Sequence, residues 1–444
     1  MFPRDNEATL TNACRETETI EGQESMKTPI KMTPVSVLLF VTLVFGADIS
    51  AQAPGQSLPP VAGTVPDIQR PNPTGSNPKP EDATAAILAA FEKYEVVGMS
   101  AAHGDKDLDD FILGLIRNPA FPSKVSDVAV ECGNSLYQPI LDRYIAGDAV
   151  SLSEVGLVWR NTTQTMCGMS GFYEELFPLV RKINKKLAPE RRLRVLAGDP
   201  AFDWSKVRGR GDIPGVRDES IAAVMEKEVL SKHRKALMLF GTFHLLHRGN
   251  TPSTFPSAVE LYEKDYPGVT LVIADHEGFG NWTALAKYND EFEARMASWP
   301  VPTLIKNIQG TWLADLLDVT YSPGAIRIRF IQGPSGMEQR IVPIVLSGFS
   351  KMVDSYLYLG PRDLQLREPR PAEISLDRDY MAELQRRATL LGEEPIDPGK
   401  PLSGESNLFL YDPDFLQKGI QEHCQRYPEL PCVTPPEVHP SDRP

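Results

Sequence analysis

The sequence predicts an α/β protein: a largely parallel sheet with helices on both faces, plus a C-terminal extension. Two observations predict it. Short apolar runs alternate with segments whose apolar residues fall at helical spacing, which is the pattern of βαβ units and a sheet covered on both faces. Four of the runs also close on an ionisable residue, His103, Glu131, Asp199 and His244, as strands do where they end at a ligand-binding edge.

The chain begins with a different texture. Two lysines in "MKTPIKMTP" (26–34) precede the apolar run "VSVLLFVTLVF" (35–45), and small residues end in "AQA" (51–53). Basic region, short apolar region and A-x-A site in that order predict a signal peptide over 26–53 and a secreted or periplasmic protein. The apolar run is too short for a stable membrane span, which takes about 20 residues. Residues 1–25 are polar and featureless, so translation is expected to start at Met26 or Met32. Residues 54–80, "PGQSLPPVAGTVPDIQRPNPTGSNPKP", hold too few apolar side chains for a core and read as a disordered linker.

The α/β domain is expected over 81–360. "EDATAAILAAFEKY" has helical spacing behind an acidic start, "EVVGMSA" reads as the first strand, and "DKDLDDFILGLIRNP" as a helix stopped before Pro119. "VSDVAVECGN" is the second strand. "LYQPILDRYIAG", "SLSEVGLVWRNT" and "GFYEELFPLVRKINKKLAP" read as helices and "RLRVLAGDP" as the third strand. "RDESIAAVMEKEVLSK" is helical, and "KALMLFGTFHLL" and "VTLVIADHEG" are the fourth and fifth strands. "AIRIRFIQ" and "RIVPIVL" are later strands, and the tyrosines of "SYLYLGPRDLQL" read as packing. Residues 361–444 form the extension, with one late helix in "DRDYMAELQRRATLLG".

Composition narrows the function. Hydrophobic residues make up 41% and charged residues 24% of 444, ordinary for a folded domain. A net charge of −13 argues against a nucleic-acid partner, which needs a basic surface. Of the five cysteines, Cys132 and Cys167 are expected as buried thiols, while Cys424 and Cys432 could close a small C-terminal loop.

The strand-end residues carry the chemistry. In an open parallel sheet the carboxyl ends share one edge, so His103, Glu131, Asp199 and His244 converge though far apart in sequence. Each also has an ordinary reading. His103 in "AAHG" could be a turn residue, and Asp199 in "AGDP" could serve the turn's backbone. Glu131 closes "VAV", where a lone carboxylate would be costly and must be paired, exposed or functional. His244 and His247 follow a strand and Gly241, which lets the backbone approach a ligand, and His247 also reads as a surface neighbour. Imidazoles and carboxylates gathered at one edge suit general acid–base work or metal binding.

The order "GMSAAHG … VAVECGN … DRYIAG … VWRNT … LRVLAGDP … LFGTFHLLHRG" resembles the erythromycin-esterase-like proteins and the wider ChaN/Tiki superfamily of haem-uptake and TraB-related proteins, over roughly residues 85–285. In that resemblance His103, Glu131, Asp199 and His244 match the family's site positions. It implies an exported hydrolase whose histidine activates water on an ester or similar acyl bond of a small molecule, with no cofactor required. The alternative it implies is a ChaN-like binder of haem or a divalent metal, using His103, His244 or His247. A Tiki/TraB-like metal-dependent peptidase shares the "GTFH" element. One position departs from the pattern: where the family carries a first-strand glutamate, this chain has Ser100 and Ala101.

Other motifs fall short. "GMSGF" lacks the strand that precedes a nucleophile elbow, and "GRGDIPG" lacks a P-loop lysine. "HLLH" spaces its histidines three apart and lacks the zincin glutamate. "NTT" (161–163) and "NWT" (281–283) fit the glycosylation pattern only.

Overall fold

The computed structural model describes residues 73–392, apart from 102–103, 216, 248–255, 277–292, 321–325, 334–335, 344–348, 365, 367, 369–373 and 375–376. The expected signal peptide, most of the linker, His103, the "NWT" motif and the pair Cys424 and Cys432 therefore lie outside the described residues.

The strands are β1 (Glu81–Asp82), β2 (Val96–Ser100), β3 (Asp127–Asn134), β4 (Arg194–Asp199), β5 (Ala236–Phe240), β6 (Thr270–Asp275), β7 (Thr303–Ile305), β8 (Ile326–Gly333), β9 (Gly336–Pro343) and β10 (Ser355–Tyr358). Eight of them build one sheet in the order β1-β7-β10-β6-β2-β5-β3-β4. From β10 to β4 every pairing is parallel. The strands β7 and β1 add an antiparallel margin. The later strands read at 325–332 and 340–346 form a separate antiparallel ribbon, β8–β9, while "SYLY" joins the main sheet as β10.

Parallel strands are hydrogen-bonded on both sides and covered on both faces, so successive residues must all be apolar. β5 shows it: Leu237 and Leu239 pack on one side, and Ala236, Met238 and Phe240 on the other. The first face is covered by helices Ala83–Ala90, Lys106–Arg117, Gln138–Ala146, Leu152–Arg160 and Phe172–Asn184. The second is covered by Asp218–Glu228, Ala258–Tyr262 and Trp312–Thr320. The helix Lys106–Arg117 starts where Asp105 accepts a hydrogen bond from the Leu108 N–H, and it turns Leu108, Ile112 and Ile116 inward. Leu239 is fully buried, and Leu239→Ala would cost ~2–5 kcal/mol.

The expectation of two buried thiols fails at Cys132 and Cys167, which form a disulfide with Cα atoms 5.4 Å apart. Their 35-residue separation hides the pairing in sequence. β3 and the turn Thr165–Met169 meet only because the helices between them fold back over the sheet. Part of the segment beyond residue 360 packs on the body: the Lys106 N–H donates to the Leu366 carbonyl, and the Glu368 N–H to that of Gly104. Among the described residues, no helix is long and apolar enough to cross a membrane.

Candidate functional site

Register brings the strand ends together. Val130 aligns with Leu239 on one side and Ala197 on the other, and Ser100 aligns with Phe240. Residues following these positions therefore emerge along one edge of the sheet. Glycines let the strands close tightly there: a Cβ on Gly133 would lie 2.7 Å from Ala197 Cα, and one on Gly198 2.6 Å from the Phe240 ring.

Glu131 and Asp199 sit at this edge, both buried, and Arg217 bridges them. Its Nε donates to Asp199 Oδ1 at 2.5 Å and its Nη1 to Glu131 Oε1 at 3.0 Å. The second oxygen of Glu131 accepts from the Gly241 N–H at 2.6 Å, just past the end of β5. The second oxygen of Asp199 accepts from the Thr163 N–H and hydroxyl, both at 3.1 Å. Neither carboxylate is left to the cost of unpaired burial.

His244 joins from the short helix Thr242–Leu245. Its Nε2 lies 3.5 Å from Glu131 Oε1 and its Nδ1 2.9 Å from Asp218 Oδ1. Burial alone would favour the neutral ring; the charge of Glu131 and the hydrogen bond to Asp218 outweigh it and raise the pKa to about 9. His244 is thus an imidazolium at neutral pH, a proton donor. Arg217 is likewise held far above its ordinary value against burial by Glu131 and Asp199.

Asn134 locks the surrounding loops. Fully buried, it donates to the carbonyls of Asn161 and Phe202 and accepts from the N–H groups of Leu136 and Phe202. A second group of acids, Asp105, Asp109 and Glu368, interacts electrostatically. Asp109 is buried and lifted well above the usual carboxylate range, by burial first and then by Glu368 and Asp105. The Tyr173 hydroxyl is raised too, again by burial first and then by Glu131.

Three of the four strand-end residues expected from sequence, Glu131, Asp199 and His244, are therefore in one hydrogen-bonded network. The fourth, His103, lies outside the described residues, but its neighbour Ala101 is at the same edge, donating its N–H to the Phe240 carbonyl at 3.0 Å. Ala101 stands where an acid was expected, and β2 itself carries none. The acids beside His244 come instead from Glu131 and Asp218. His247 belongs to a different cluster, its Nδ1 2.9 Å from Glu263 and its Nε2 2.8 Å from Asp354. Both its ring nitrogens are engaged, so neither is open to a haem or metal ion as arranged. Among the described residues, no three His, Cys, Asp or Glu side chains gather as a metal site.

Sequence reasoning missed Arg217, Asp218 and Thr163. Arg217 and Asp218 open the helix "RDESIAAVMEKE", where charged residues are ordinary. Thr163 lies in "NTT", which carried only the glycosylation reading. No spacing pattern distinguishes them.

The structure defines an α/β protein with a charged network at the carboxyl edge of its parallel strands. No protein-family model and no curated protein matches the chain. Among solved structures it is similar to a Bacillus cereus protein at 10% identity, over 64% of this chain and 95% of the other, with a TM-score of 0.39. A mutant erythromycin esterase in its open conformation is also similar, at 10% identity over 62% and 92% of the two chains, TM-score 0.38. So is a succinoglycan biosynthesis protein, at 9% identity over 65% and 95%, TM-score 0.39.

Proposed function

We propose that the protein is an exported hydrolase that activates water on an ester or similar acyl bond of a small molecule. The observation that carries this reading is the bridged network Glu131–Arg217–Asp199 with His244 beside it. It holds two cations in fixed positions at a sheet edge where water is largely excluded. Fixed charges of that kind stabilise charge developing in a transition state far better than mobile solvent does.

The roles divide by protonation. His244, already protonated at neutral pH, supplies a proton or meets negative charge. The base that takes a proton from water is His103, assigned from its place in the sequence. Export is supported by the signal-peptide pattern and by the Cys132–Cys167 disulfide, a bond that persists in oxidising compartments.

The test is turnover of simple aryl and alkyl esters by the full chain in excess EDTA. Turnover that survives the chelator supports the reading. A protein inert to all esters that gives a Soret band on adding haemin contradicts it and favours a binding role.

A further inference from the structure

The guanidinium of Arg217 has five N–H donors in one plane. Nε and Nη1 are committed to Asp199 and Glu131. Nη2 is buried and has no hydrogen-bond partner among the described residues. A buried donor left unmade is unfavourable and calls for an explanation, a catalytic role being one. The two carboxylates hold the guanidinium plane from two sides, so the directions of the Nη2 N–H groups are set before any ligand arrives.

We propose that Arg217 Nη2 takes the acyl oxygen of the substrate, so that Arg217 is the oxyanion-holding residue of the site. This rests on the hydrolase reading and assigns its electrophile. Glu131 and Asp199 then act as positioning residues for Arg217, and His244 is left for the leaving group. Its Nε2 contact to Glu131, at 3.5 Å, is the looser of its two and the one open to exchange for substrate.

The steps balance. Water gives one proton to the general base as its oxygen bonds to the acyl carbon, and the carbonyl electron pair moves onto the oxygen at Nη2. Collapse breaks the bond to the alkoxy oxygen, which takes the proton from His244. The base then releases its proton to solvent, and solvent reprotonates His244. Water and ester become acid and alcohol, with no oxidant or further reactant. The favoured substrates are esters whose carbonyl oxygen can reach the Arg217–His244 side of the network.

The test uses the full chain and the monoanion of ethyl methylphosphonate, a tetrahedral mimic of the intermediate. Calorimetry should show wild type binding it at least 10-fold tighter than Arg217→Lys, which keeps the charge and loses the fork. Since that variant also weakens the pairing of two buried carboxylates and can unfold, a crystal structure of the wild-type complex decides independently. A phosphonate oxygen within hydrogen-bond distance of Nη2 supports the assignment. Phosphonate bound elsewhere, no phosphonate binding, or equal affinity in a folded Arg217→Lys overturns it. Ester turnover by wild type is scored separately: turnover without the Nη2 contact removes the role of Arg217 alone, and absence of turnover removes the hydrolase reading.

Discussion

Raising the pH should strip stability from this fold through two histidines. His244 is buried, which by itself favours the neutral ring, yet Glu131 and Asp218 raise its pKa to about 9 from 6.5. His247 reaches about 9 against the same burial, through Asp354 and Glu263. A histidine with a raised folded pKa contributes stability that is complete below the unfolded value of 6.5. That stability declines as pH rises and is gone above about 9. From 6.5 to 9, at about 1.4 kcal/mol per pH unit, each histidine loses ~3 kcal/mol. Their side chains are only 17% and 19% exposed, so solvent screening takes little from this figure. Urea unfolding of wild type, His244→Gln and His247→Gln at a series of pH values from about 6 to 10 measures it. The gap between wild type and each variant should be widest at the acid end and close by the alkaline end. Asp109, whose raised pKa also makes stability fall with pH, is common to all three proteins and cancels in the difference. A gap that stays constant across the range would refute the assignment of charged histidines to these carboxylates.

Other consequences follow from the same contacts. Replacing Cys132 and Cys167 together by serine should cost ~2–4 kcal/mol, read as a lower denaturant midpoint, and a reductant should reproduce the loss in wild type. Asn134→Ala strips four hydrogen bonds from a fully buried position and should cost ~2–4 kcal/mol in a thermal melt; no change would mean that the loops it ties are held by something else. Gly133→Ala has no room for its methyl group against Ala197 and should lower the melting temperature by several degrees, an effect absent at the open Gly114. N-terminal sequencing of the native protein should find a chain beginning near Pro54; a mature chain retaining 35–45 would contradict export by cleavage.

The strands that position the site were legible because their residues are apolar on both faces, and no competing reading of "VVGMS", "DVAV" or "ALMLF" as helix survives their length. The edge where they end was legible for the same reason: parallel pairing forces Glu131, Asp199 and the Gly241–His244 turn to one side. What failed to show was whatever depends on contact between elements. β7 is three residues long and β10 four, too short for periodicity to separate them from loop or packing. Arg217 looks like any charged residue opening a helix until Glu131 and Asp199 are seen on either side of it. Cys132 and Cys167 sit among apolar neighbours, as free thiols do, and only the fold-back of the intervening helices brings them within bonding distance. His247 reads in sequence as a surface neighbour of His244, and only the fold shows it held between Glu263 and Asp354.

The most direct measurement is kcat/KM for ester hydrolysis by wild type and His103→Ala in the presence of EDTA, with the melting temperature taken on the same samples. The account expects turnover in wild type and a loss of ~100- to 10,000-fold in the variant, the cost of removing a general base. Stability should shift by no more than ~0.5 kcal/mol. A variant equally stable and equally active would contradict the account, leaving His103 a turn residue.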